Sequence, residues 1–353
     1  VVEIGFGVVL GVLGARTSEM APFLRFIADL GLALFLFLAG LEVDADGLCR
    51  EGWRAAVPAL AVTIVSFLLA EVAAFLLGWS PWVGLALSAT SVPLLLSVVR
   101  EAGLADAPLG REMVRTAVVG EVVSVGLVAF AEIVHHADTV THGATGVLRL
   151  AGMLVLVVLG TRLLAVLRWW FPEGVQHLVG AGDPSESGVR AGFGLALLMI
   201  AVAGLAGVEP LLGAFAGGLM VAFTLEDRHA VQREFAPMAY GFFVPVFFVD
   251  VGVRLDVGEL IEVGRPAALA GIVALMLLTK LVPSLAGLVV GRTFRTVLAS
   301  AMLLAAPLTF LIAVATLAHR LDAIDSATEG TLILAGMIAS LVYPSLARRL
   351  LGA

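Results

Sequence analysis

The sequence predicts an all-α polytopic membrane protein, and three observations carry that reading. The chain has 353 residues, 60% of them apolar and only 14% charged, with a mean hydropathy of +1.07. An average soluble domain is about 45–50% apolar and about 25% charged. Uncharged apolar stretches recur from end to end: residues 72–99 and 296–318 carry no charge for 28 and 23 positions, where a spanning helix needs about 20 mainly apolar residues. Strict period-two alternation is absent, which argues against an outer-membrane barrel. The same composition excludes a disordered chain and a soluble globular one.

Apolar runs bounded by turn signals give twelve segments. The first, 1–14, holds the glycine-rich run GFGVVLG, and 23–43 holds FLFLAGLE. Segment 53–78 runs to Gly78, 81–100 opens at Pro81, and 110–135 opens at Gly110. Segment 145–171 carries Trp169 and Trp170 at its end and precedes the longest polar stretch, 172–187, which reads as a linker between halves. The second half runs 188–207, 210–225 with GAFAGGLMV, 235–254 with FFVPVFFVDVG, 266–291 between Pro266 and Gly291, 294–319 and 328–350. Trp53, Trp79 and Trp82 also sit near segment ends, as interfacial aromatics do. No basic run points to nucleic acid, and the single cysteine, Cys49, forms no internal disulfide.

The halves resemble each other. FLFLAGLEVDADGL (35–48) aligns with FFVDVGVRLDVGEL (247–260), matching Phe35 with Phe247, Gly40 with Gly252, Asp44 with Asp256 and Leu48 with Leu260. Segment two then pairs with nine and one with eight. An odd offset of seven helices turns the second copy upside down, the inverted repeat common in secondary transporters. Segment seven then lacks a partner, so a thirteenth helix is expected before Val1. With the C-terminus placed in the cytoplasm, fourteen arginines fall inside and six outside, the positive-inside pattern.

A charge near the bilayer centre costs a few kcal/mol, so each one needs a reason. Lys280 is the only lysine; it lies 14 residues after Pro266 and 11 before Gly291, roughly 16 Å of helix from the nearer end. Glu121 lies at the middle of segment five among valines, where burial disfavours the charged carboxylate. Such a group can hold a proton or a cation, but not easily both, which is the physical core of proton-coupled exchange. Asp250 stands where the matched repeat has Leu38. It reads as the partner of Lys280, as a second proton site, or as an ion pair with Arg254 four residues on. Glu71, Glu132 and Asp29 read as interfacial or packing groups. His135, His136 and His142 read as a solvated loop, and His177, His229 and His319 as isolated loop residues.

Two segments contain breaks: Ala89-Thr90-Ser91-Val92-Pro93 in the fourth and Ala305-Ala306-Pro307-Leu308-Thr309 in the eleventh. Proline removes a donor and frees a carbonyl one turn back, and hydroxyls sit beside it. Each break lies in the middle helix of a triplet, again seven helices apart. Paired interruptions at corresponding positions point to a transporter's binding site.

These residues resemble a family. GLALFLFLAGLEVD, ATSVPLLLSVVREAG, GAFAGGLMVA, FFVPVFFVDVG and the Lys280 helix look like the bacterial monovalent cation:proton antiporters of the Kef/Nap type, with the motifs in order along nearly the whole chain. The resemblance implies an inverted-repeat fold of thirteen helices with two discontinuous crossing helices. It implies a dimerisation domain (1–52 and 188–262), a core domain (53–140 and 263–353), and a linker helix and polar loop (141–187). It further implies a homodimer in the lipid bilayer of the bacterial inner membrane, and alternating access at the crossing. Where the family usually has two adjacent polar or acidic residues, this chain reads Gly120-Glu121. The carrier role falls to Glu121, and Lys280 must find Glu121 or Asp250, or stay neutral.

The resulting expectation is a non-enzymatic secondary transporter exchanging Na+ or K+ for H+. Glu121 is the proton and cation carrier, Thr90 and Ser91 offer oxygens, and Lys280 and Asp250 balance charge. Pro93, Pro307 and Thr309 mark the broken helices. No cofactor and no metal beyond the transported cation is expected. An organic-anion carrier on the same scaffold and a transport-inactive sensor or scaffold are the alternatives.

Overall fold

The computed structural model describes residues 2–14, 21–43, 53–105, 107–135, 140–170, 187–224, 228–255 and 266–352. The polar stretch 172–186, Cys49, His136 and His177 lie outside them. Among the described residues every regular element is helical. In the first half these are α1 (Val2–Val12), α2 (Ala21–Glu42), α3 (Trp53–Leu76), α4 (Pro81–Ser88), α5 (Val92–Glu101), α6 (Pro108–His135) and α7 (Val140–Trp170). The second half has α8 (Ser187–Ala206), α9 (Pro210–Thr224), α10 (Arg228–Met238), a π-helical turn (Ala239–Phe243), α11 (Val244–Arg254), α12 (Pro266–Ser284), α13 (Ala286–Val289), α14 (Phe294–Leu304), α15 (Leu308–Arg320) and α16 (Ser326–Leu351).

Each of the twelve sequence segments holds described helix. By length and composition eight helices among the described residues can cross a membrane, or nine if the bent pair α14 and α15 is one span. The remainder are shorter. Helices α1 and α9 have 11 and 15 residues, and the fourth segment is split into halves of 8 and 10.

The chain forms two units, residues 1–47 with 129–255 and residues 48–128 with 256–353. In the first unit α2 packs on α9, and α1 on α11. Glycine permits both crossings. A Cβ at Gly40 would meet the Phe215 carbonyl and one at Gly218 the Phe37 carbonyl. On the other pair, a Cβ at Gly7 would meet the Val249 carbonyl and one at Gly252 the Ile4 carbonyl. Backbones approach this closely at membrane-helix interfaces only where residues are small. The two aligned glycines, Gly40 and Gly252, thus each face a glycine-rich helix of the opposite half, α9 and α1. Asp250, 4% exposed, lies in this unit on α11, and its carboxylate is 3.0 Å from Arg254 Nε.

In the second unit α3 packs on α4 and α12, α4 on α15, and α16 on α14, α15 and α12. Tyr343 of α16 donates its hydroxyl to the Val273 carbonyl of α12 at 2.6 Å. Helix α16 begins at Asp325, whose carboxylate accepts from the Thr328 N–H at 2.9 Å, and ends at Gly352 with φ +84°. Two breaks, residues 89–91 and 305–307, interrupt α4/α5 and α14/α15. The second bends its pair by 43°. Pro93 sits in the first turn of α5, past the break; there its missing N–H is a group that would have no helical partner in any case. Pro307 is the residue on which α15 starts.

Candidate functional site

The site grows out of the first break. A helix leaves its last carbonyls and first N–H groups without partners, and aligned peptide dipoles make the C-terminal end negative and the N-terminal end positive. In water these ends are solvated. At membrane depth each must be met by protein, since a buried polar group left unmet costs about 1–3 kcal/mol.

Here two charged side chains meet them. Lys280 of α12, 2% exposed, donates from Nζ to the Ser88 carbonyl, at the negative end of α4. It also donates to Thr90 Oγ1 at 3.1 Å. Glu121 of α6, 1% exposed, accepts the Val92 N–H on Oε2 at 3.2 Å, at the positive end of α5. Ser91, the residue preceding α5, is in extended conformation and makes no capping bond through its own hydroxyl; the Glu121 carboxylate stands in its place. Both charges are matched to the dipole end they face, each such match contributing about 0.3–1 kcal/mol at exposed sites and up to about 2 when partly buried.

The second break approaches through Thr309, whose hydroxyl lies 3.5 Å from that of Ser91. The hydroxyls therefore divide: Thr90 serves the lysine, while Ser91 and Thr309 sit together beside the residue whose N–H holds Glu121. Gly120 lies against Thr90. A Cβ there would be 3.0 Å from Thr90 Oγ1, 3.2 Å from Thr90 Cβ and 3.5 Å from Thr63 Oγ1.

One turn away on α6 and on α12, Thr116 and Ser284 line a cavity of about 840 Å³. The Ser284 hydroxyl donates to the Lys280 carbonyl at 2.7 Å. The walls are largely apolar, with Pro58, Val62 and Val297 among them, and Glu112 and Arg292 form an ion pair in its lining. Among the described residues no group of three His, Cys, Asp or Glu is placed to hold a metal ion.

Of the residues singled out from sequence, Thr90, Ser91, Glu121, Lys280 and Thr309 converge on the first break. Asp250 lies in the other unit and pairs with Arg254 four residues on, one of the three readings that the sequence left open. Three participants had no sequence signal. The Ser88 carbonyl and Val92 N–H are backbone groups, identified only once the helix ends are known, and Thr63 is one of many buried hydroxyls. His319 is not solvated alone: its ring nitrogens are 3.2 Å from the Ile324 carbonyl and 3.8 Å from Glu329.

Comparison with known proteins gives three kinds of finding. The profile of the family described as "Sodium/hydrogen exchanger, transmembrane" matches residues 1–352. The chain is 26% identical over 369 residues to YjbQ of Bacillus subtilis, covering 98% of this chain and 57% of that protein. It is 28% identical over 254 residues to the Na(+)/H(+)-K(+) antiporter GerN of Bacillus cereus, covering 70% and 63%. It is 30% identical over 281 residues to the glutathione-regulated potassium-efflux system protein KefC of Escherichia fergusonii, covering 74% and 43%. The chain thus spans about half of the length of these relatives. In fold it is similar to the sodium proton antiporter MjNhaP1 of Methanocaldococcus jannaschii, with a TM-score of 0.56 and 16% identity over 99% of this chain and 98% of that one.

Proposed function

Because this chain belongs to the transmembrane sodium/hydrogen exchanger family, we propose that it exchanges a monovalent cation for protons by alternating access, with Glu121 as the carrier. The observation that carries the reading is the Glu121 carboxylate, buried yet held at the positive end of α5 by the Val92 N–H. A proton or a cation neutralises the same oxygen atoms, so the two compete. Ser91 and Thr309 hydroxyls lie beside that end and offer oxygen ligands to a dehydrated cation, hard oxygen donors being what such ions take. Names among the relatives give both Na(+) and K(+), and we assign this chain the same class of cargo. The cavity below Thr116 and Ser284 serves as the inward vestibule, on the arginine-rich face. The remaining assignments are a homodimer through the first unit, the second unit as the moving core, and a bacterial inner membrane with the C-terminus in the cytoplasm.

The organic-anion reading would place a carboxylate at the half-helix N-termini, and at that of α5 Glu121 already accepts the Val92 N–H, which supports the cation reading. The test is direct. In proteoliposomes, Glu121→Gln abolishes cation-driven pH change for Na+, K+ and Li+, while the variant folds as the native chain does. Full exchange in that variant sinks the proposal.

A further inference from the structure

We propose that the cavity beside Thr116 and Ser284 is a site for an anionic phospholipid of the cytoplasmic leaflet, which forms one side wall of the vestibule. The role of that wall rests on the antiport reading above; the lipid site itself stands on the shape and charge of the cavity.

The cavity has an inner and an outer side. Ala59 of α3, Met113 of α6 and Val297 and Leu304 of α14 are buried and close it toward the core. Val65 of α3, Val282 of α12 and Val290 line it too, yet they are 39%, 47% and 73% exposed. They stand beside further exposed apolar residues, Ile64 and Leu68 on α3 and Leu285 and Val289 past the end of α12. In a membrane-spanning chain such faces meet acyl chains, which are as apolar as they are. The opening has a cause in the sequence. Pro283 lies in the last turn of α12, which stops at Ser284 and is followed only by the four-residue α13. On the side of α3 and the end of α12 the cavity therefore opens into the bilayer.

Charge identifies the occupant. The cavity is lined from the starts of α3, α6 and α14 and the end of α12, the ends that the arginine pattern places in the cytoplasm. Arg115 and Arg292 are in the lining, with one acid, Glu112, ion-paired to Arg292. Residues 107–116 and 286–297 together hold four arginines, Arg111 and Arg295 being the others, against that single acid. The positive dipole ends of α6 and α14 lie at the same level and favour anions as well. An apolar slot open to lipid, with a basic rim at headgroup depth, matches an amphiphile with a negative head. Basic pockets between membrane helices on the cytoplasmic side take anionic lipid headgroups in this way.

The geometry assigns the lipid phosphate to Arg115 and Arg292, and one acyl chain to the slot along Val62, Val65 and Val282. The chain separates the vestibule from the bilayer interior. The phosphate offsets a rim of net positive charge that a cation must pass on its way to or from Glu121.

The experiment uses the full chain in phosphatidylcholine vesicles with and without phosphatidylglycerol. A phosphatidylglycerol with a photoreactive group on one acyl chain is crosslinked in the membrane, and the labelled residues are mapped by mass spectrometry. Labelling is expected on the lining of α3 and α12 to α14, and several-fold weaker from a phosphatidylcholine with the same chain. Arg115→Gln is expected to lower the phosphatidylglycerol signal roughly fivefold, the share of one interfacial arginine. Val62→Trp, which fills the slot, is expected to remove it. Crosslinks spread evenly over lipid-facing helices, equal labelling by the two lipids, or a second copy of the chain crosslinked across the slot each overturn the site. A pH dye in the same vesicles reads exchange. The native chain is expected to run several-fold faster with phosphatidylglycerol, and Arg115→Gln to lose that difference. Equal native rates with the crosslinks in place overturn the wall's role. No dye response for Na+, K+ or Li+ in either bilayer overturns antiport instead, and the crosslink map still decides the lipid site.

Discussion

Lys280 shows how one residue can be costly and indispensable at once. Its ammonium lies at mid-membrane, where a bare charge costs a few kcal/mol, and its two partners are oxygens that would otherwise be unmet. Removing the lysine does not simply remove a cost. Lys280→Met keeps the bulk of the side chain but leaves the Ser88 carbonyl and the Thr90 hydroxyl without the donor they have now. The expected outcome is a loss of about 1–3 kcal/mol of stability, read as a lower melting temperature in detergent, with Lys280→Arg less affected. An unchanged melting temperature for the methionine variant would contradict the capping role.

At the scale of elements, the ends of helices decide most of what is particular to this molecule. The start of α16 is a solvent-side example. Asp325 caps it through Thr328, and hydrogen bonds from the Thr328 hydroxyl and then its N–H, with the nearby His319 adding less, hold its carboxyl below the ordinary value of 3.8. A lowered folded value means that the charged cap adds stability above pH 3.8 and loses it as the pH falls below that value through the folded one. Asp325→Ala is expected to cost about 1 kcal/mol near neutral pH, and Asp325→Asn less, because the amide oxygen still accepts. Thermal melts across pH check this: the difference between native and alanine chains should shrink in acid. The first break obeys the same end-group chemistry in a buried setting, where the Lys280 and Glu121 side chains meet the helix ends. The glycine crossings of α1 with α11 and α2 with α9 work by the opposite means, bringing backbone to backbone with no side chain between.

Over the whole molecule, hydropathy sufficed to place the helical segments, because lipid demands long apolar runs and the chain has little else. Glu121 and Lys280 were legible for the complementary reason: in a chain with 14% charged residues, a charge far from any loop has no surface to explain it. The limits of the breaks were not legible. Proline drew attention to position 93, yet the helix is interrupted at 89–91, since proline is at ease in the first turn of the helix that follows. The contact between Gly120 and Thr90 could not be read either, because it depends on two segments meeting 30 positions apart. The vestibule also belongs to this scale. Ser284→Cys, in a Cys49→Ser background, is expected to react with a membrane-impermeant thiol reagent added to the cytoplasmic side of inverted vesicles. Labelling only from the opposite face would reverse the orientation read from the arginines.

The two caps of the first break differ in when they can arrive. Glu121 is 29 positions from Val92, so the N-terminal triplet carries its own acid. Lys280 is 192 positions from Ser88, so while the chain is being synthesised the end of α4 waits in the membrane until those residues have been made. The ammonium, for its part, enters a bilayer where its acceptors are already present, which eases the insertion of a helix that lipid alone would resist. The second triplet is therefore the last step in closing the first, and the end of α4 is capped only once α12 has been made.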